Sequence, residues 1–248
     1  MKRALTIVFL LCGLLPVFGQ DSTVAIRKWK LNGYVKDLQS LQFNKDFRVL
    51  VPGNVIHNRM NLRWAPQKKI EVGVEWRNRF FWGEEMASTP NFLRQLRSSQ
   101  ELVNLNITWL DQPNYALLTQ TDRFWAAFEN NNWSLRLGRQ RINWGQTTIW
   151  NPNDVFNTYN FLDFDYEERP GTDAVNIERK LNDFSSVQWV AAPQRRIGQS
   201  ITAVKYAFNR NSYDFQVLAG WYKGQFTAGG GWAGSIGEAG FKGEVQYY

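Results

Sequence analysis

From Trp29 onward, apolar and polar residues alternate with a period of two, not with the 3.6-residue period of a helix. The clearest stretch sets Ile56, Asn58, Met60, Leu62 and Trp64 against His57, Arg59, Asn61 and Arg63. After a turn at 65–68 the next stretch sets Ile70, Val72, Val74, Trp76 and Phe80 against Glu71, Gly73, Glu75, Arg77 and Arg79. Pairing these two across the turn places arginines opposite glutamates, the pairing that cross-strand neighbours favour. The same pattern predicts strands over 29–43, 115–129, 133–144, 173–180, 186–192, 200–209, 213–222, 226–235 and 241–247. That makes eleven, all antiparallel. Segment 102–110 also alternates, but counting strand directions places it in a hairpin or strand extension.

Such alternation fits a soluble sandwich as well as a membrane barrel. The aromatic residues separate the two. Aromatics make up 15% of the chain, with twelve Trp. Trp64, Trp82, Trp133, Trp144 and Trp221 fall at predicted strand ends, where the interfacial girdles of a membrane barrel sit. The expected fold is therefore an all-β, antiparallel transmembrane β-barrel occupying 20–248, in contact with outer-membrane lipid. Eleven strands is an odd number and the last one ascends, so an incomplete barrel is expected.

The first residues sharpen the compartment. Lys2 and Arg3 precede an apolar run from Ala4 to Leu15, the pattern of a secretory signal peptide over 1–19. Its removal takes away Cys12, which excludes a disulfide-stapled scaffold. Losing Lys2 and Arg3 lowers the formal charge from +7 to +5, too little to indicate a nucleic-acid partner.

One strand breaks the pattern. Leu135 and Leu137 share parity with Arg139 and Arg141, so a regular strand would turn arginines toward lipid; a bulge at Gly138 would restore the phase. Beyond it lies a long loop, 145–171, rich in Trp, Tyr, Phe, Asn and Asp, which is expected to fold toward the barrel interior.

The strings GRQRINWG (138–145), NPND (151–154) and EERPGTDA (167–174) resemble porin-like outer-membrane β-barrels of Gram-negative bacteria, of the alginate-export-like and uncharacterised branches. The resemblance covers roughly 72–248. It implies a barrel in the outer membrane and passage of a solute.

Candidate lumen residues are Arg59, Arg63, Glu71, Glu75, Arg77, Arg79, Arg123, Arg136, Arg139 and Arg141. As a ladder these arginines would draw polar or anionic solutes. Alternatively they pair with Glu71, Glu75 and the loop acids and form a salt-bridged plug, leaving a non-transporting barrel for surface binding or envelope assembly. The candidate constriction residues are Trp150, Asn151, Asn153, Asp154, Asp163, Asp165, Glu167 and Glu168. The loop acids do not follow a calcium-loop spacing, and no metal or cofactor is expected. No enzymatic activity is expected either: the single histidine, His57, falls among arginines, and no nucleotide-binding or metalloprotease motif is present. Oligomeric state is left open.

Overall fold

The computed structural model describes residues 28–96, 102–148, 150–156 and 171–248. The expected signal peptide, 1–19, and Asp163, Asp165, Glu167 and Glu168 lie outside them.

The chain is all-β and antiparallel. Eleven strands form one continuous path: β1 (Trp29–Phe43), β2 (Leu50–Gln67), β3 (Ile70–Gly83), β5 (Tyr115–Asn130), β6 (Trp133–Gln140), β7 (Thr172–Asn182), β8 (Ser185–Ala192), β9 (Ile201–Arg210), β10 (Tyr213–Tyr222), β11 (Gln225–Ile236) and β12 (Ala239–Tyr247). A twelfth, β4 (Asn106–Asp111), lies off the path and pairs with β5 alone. Among the described residues β1 and β12 do not pair with each other, so the sheet is open.

The two rims of the sheet differ. One carries only two-residue turns: 68–69, 131–132, 183–184, 211–212 and 237–238. Asn211 and Ser212 both have positive φ, as the tight turns that match strand twist require. The other rim carries connections 44–49, 84–114, 141–171, 193–200 and 223–224. Within 84–114 two short helices, α1 (Glu84–Ser88) and α2 (Phe92–Gln95), bring Met86 and Leu93 against Phe81, Ala116 and Leu118.

Register converts the period-two pattern into two faces. One cross-strand row runs Ile70, Phe128, Leu135, Ile177, Trp189, Val204, Ala219, Ala228, Tyr247, apolar on nine successive strands. A neighbouring row begins with the stacked pair Trp29 and Trp64, 5.1 Å apart, and passes through Val72, Ala126, Leu137 and Val175. These side chains are exposed or half-exposed although apolar, and on the same face of β10 Val217 and Trp221 keep 52% and 56% of their surface. We refer to this as the outer face. The inner face holds the buried polar groups and, over β8–β10, a cluster of Val190, Ala192, Ile201, Ala203 and Leu218.

Several details depart from expectation. The β2–β3 turn is Lys68-Lys69, because β2 continues to Gln67. Strand β6 ends at Gln140 instead of running to Trp144, because Ile142 and Trp144 turn down onto the apolar inner cluster. The shortened β6 covers β5 only over 124–130, and β4 takes the half of that edge, 116–120, which β6 leaves. The phase does change at Gly138: Leu137 is exposed and Arg139 is buried. No residue is inserted there, since both ladders of β6 run through without a shift. The change comes from φ +105° at Gly138, where a Cβ would lie 2.3 Å from the Phe124 carbonyl oxygen. The inserted residue is on β5, where Asp122 is skipped between the partners of Glu75 and Trp76.

Candidate functional site

The inner face has two parts. Over β2–β6 it is built on guanidinium and carboxylate groups. The odd positions of β2 and β3 project onto it, which buries His57, Arg59, Glu75, Arg77 and Arg79. The insertion at Asp122 turns two successive residues of β5 inward, Asp122 buried and Arg123 half-buried. Arg59 bridges two carboxylates, with Nη2 at 2.9 Å from Glu75 and Nη1 at 2.7 Å from Asp122. Glu75 also receives Arg63 at 3.2 Å and Arg123 at 2.8 Å, and Asp122 receives Arg77 at 3.0 Å. Arg63 extends to Glu71 at 3.5 Å. Arg79 donates to Gln120. Opposite Arg79 in register is the buried His57, whose ring lies 5.4 Å from that of Tyr34.

Arg139 forms a second anchor. Its Nε and Nη2 reach the two Asp173 oxygens at 2.9 and 3.1 Å, the two-pronged geometry that suits a guanidinium. It also donates to the backbone carbonyls of Thr121 and Val103, tying the start of β4's connection to β6. Arg136 is different. It lies 4.4 Å from the Trp125 ring, which Arg63 also approaches at 4.8 Å, and its Nε is buried without an acceptor. Among the described residues no carboxylate pairs with it. Arg141 lies past the end of β6 and is exposed.

Over β8–β12 the inner face carries the first part of the 141–171 connection. Ile142 and Trp144 sit on the apolar cluster, joined by Val155 and Phe156; the Trp144 and Phe156 rings meet edge to face at 4.9 Å. A buried side chain of this size contributes about 1.5–3 kcal/mol. Polar groups then fix the path. Trp144 Nε1 donates to Gln188 at 2.8 Å, and Gln216 donates to the Trp144 carbonyl. Asn153, fully buried, donates from Nδ2 to the Gly230 carbonyl at 2.8 Å. It fits there because β11 is glycine-rich: a Cβ at Gly229 would meet Asn153 Oδ1 at 2.8 Å. Glu244 of β12 accepts from the backbone N–H groups of Gln146, Thr147 (2.7 Å) and Asn153 (3.0 Å). The Tyr248 phenol donates to the Pro152 carbonyl at 3.0 Å, and burial, then Tyr222 and Asp154, push its pKa up and keep it a donor. Asp154 is buried, Asn151 half-buried and Trp150 exposed.

The structure thus gathers Arg59, Arg63, Glu71, Glu75, Arg77 and Arg123 into one network, places Arg79, Arg136 and Arg139 beside it, and leaves Arg141 outside. Sequence reading did not name Asp122, Asp173, Gln188, Gln216 or Glu244 as site residues. Gln216 and Glu244 were legible as inward by parity; Asp122 was hidden by the β5 insertion, which parity does not reveal. Compared with family models, curated protein sequences and solved structures, the chain matches none of them.

Proposed function

We propose that this chain is a porin-like outer-membrane β-barrel, exported by its N-terminal signal peptide, that passes polar or anionic solutes along an arginine-lined interior narrowed by loop 145–171. The observation that carries the reading is the opposition of the two faces. An apolar row, exposed or half-exposed, spans nine successive strands, while the opposite face of β2–β6 carries seven arginines, four of them buried. Water on both sides would leave that apolar row uncompensated, whereas lipid outside and a polar interior satisfy both. Nine of the eleven strands on the path have 9–18 residues, enough for the roughly 9–11 needed to cross a bilayer, and β6 and β8 have 8. The rim asymmetry agrees with it, since outer-membrane barrels keep short turns on the periplasmic side.

The alternative is a plugged barrel acting in surface binding or envelope assembly. It is favoured by the mutual pairing of Arg59, Arg63, Arg77 and Arg123 with Glu71, Glu75 and Asp122, which spends much of the positive charge inside the wall. Refolding into lipid vesicles, followed by single-channel recording with and without 145–171, decides between them. Anion-selective current that rises on deletion supports the channel. Stable insertion, shown by heat-modifiable gel migration, with no current in either form leaves the plugged barrel. Failure to insert removes both.

A further inference from the structure

We infer that Glu244 is the positioning residue that latches the constriction loop to the barrel wall, and so sets the width of the pathway; the second half of this statement rests on the channel reading above. Three backbone N–H groups, from residues 146, 147 and 153, converge on this one carboxylate. They come from two stretches of the chain, 146–147 and 153, so a single side chain holds both against β12. A loop leaving a strand has backbone donors that need acceptors when covered. An ionised carboxylate is the side chain suited to take several, having two oxygens and about four acceptor positions.

The wall is built around the contact. Register aligns Gln216, Gly231 and Glu244 in one row across β10, β11 and β12. Gln216 holds the incoming Trp144 carbonyl at one end of this row, and Glu244 holds both stretches at the other. Between them Gly231 leaves room: a Cβ there would stand 2.8 Å from Gln146 Oε1 and 3.2 Å from Asn153 Nδ2. Acceptor, gap and donor thus follow one another along a line of the sheet, and the two stretches are fastened at a fixed height on the wall. The long connection beyond them re-enters the sheet at Thr172.

Amide hydrogen exchange in the refolded full chain tests the latch itself. In Glu244→Gln one acceptor oxygen remains for three donors, and the new NH₂ group opposes the N–H that loses its partner. Exchange at residues 146, 147 and 153 is expected to accelerate roughly tenfold or more, with the β5–β6 amides unchanged. Glu244→Asp, which keeps the charge on a shorter arm, is expected to protect part of the set. Single-channel conductance of Glu244→Gln is expected to rise about twofold, and a disulfide between Asn153→Cys and Gly231→Cys to return it toward the starting value on oxidation. Unchanged exchange at the three amides would overturn the latch. Accelerated exchange with no current in any form would leave the latch standing and retire the channel.

Discussion

The two halves of the inner face solve the same problem with different chemistry. Over β2–β6, side chains of the strands satisfy one another: a guanidinium on one strand finds a carboxylate on the next, and Arg59 alone ties β2 to both β3 and β5. Over β8–β12 the wall is lined with alanine, valine, glycine and amides, and its partners come from the loop. The first half is closed on itself. The second is a seat, complete only with residues 142–147 and 153–156 in place. The contrast teaches where disruption should spread. A buried charge network fails as a unit when one partner is removed, because the remaining charges are stranded at low dielectric. A seat made of separate hydrogen bonds and apolar contacts, with Glu244 its one carboxylate, fails piecemeal, each neutral bond carrying about 0.5–1.5 kcal/mol net.

The largest expected effect follows directly. Asp122→Asn keeps the shape of the side chain but takes from Arg77 the carboxylate it pairs with and from Arg59 one of its two, and both guanidinium groups are buried, at 2% and 3% exposure. A loss of about 3–5 kcal/mol is expected. Urea unfolding of the refolded chain, followed by heat-modifiable migration, measures it. A midpoint that moves as little as that of a surface variant would show that the network is not a unit.

Much of this division was legible in the sequence. Alternation located the strands because one face had to be apolar along every one of them, and the main path has the expected eleven. Arginines and glutamates on the polar faces of β2 and β3 announced the charged half, but not the pairing: register sets Arg59 opposite Arg77 and Arg63 opposite Gly73, and the guanidinium–carboxylate contacts run diagonally. Gly138 announced a change of phase, since leucines and arginines of one parity cannot share a face. What stayed hidden depended on pairing between distant strands. The Asp122 insertion leaves no mark in composition, yet it turns two adjacent charged residues inward. The early end of β6 was masked by Ile142 and Trp144, whose parity continues the strand while their packing belongs to the loop seat. Glu244 could be placed on the inner face, but its role rests on residues roughly a hundred positions earlier in the chain.

On the seat side the expected effect is smaller and local. Asn153→Ala removes the bond to the Gly230 carbonyl and leaves a gap against Gly229 and Gly231. The cost is about 1–3 kcal/mol, and it falls on the loop rather than on the sheet. Limited proteolysis should cut the 146–156 segment faster while the urea midpoint of the sheet stays within error. A coincident fall of the midpoint would mean that the loop is part of the cooperative core, and the two halves would then be one.

The smallest effect on stability carries the sharpest information about function. Arg136 belongs to the charged half by position, yet among the described residues it has no carboxylate partner, and it rests against the indole it shares with Arg63. Replacing it with Gln strands no counter-charge, so folding should change by no more than about 1 kcal/mol, the lost cation–π contact. Its charge is not spent inside the wall, whereas that of Arg63 is divided between Glu71 and Glu75. In a conducting barrel, anion preference should therefore fall more in Arg136→Gln than in Arg63→Gln, and Arg141→Gln, beyond the strand end, should leave it unchanged. Reversal potentials under a potassium chloride gradient read this order. Equal shifts for Arg136 and Arg63 would mean that solutes sense the summed field of the face and that pairing within the wall does not decide which arginines they meet.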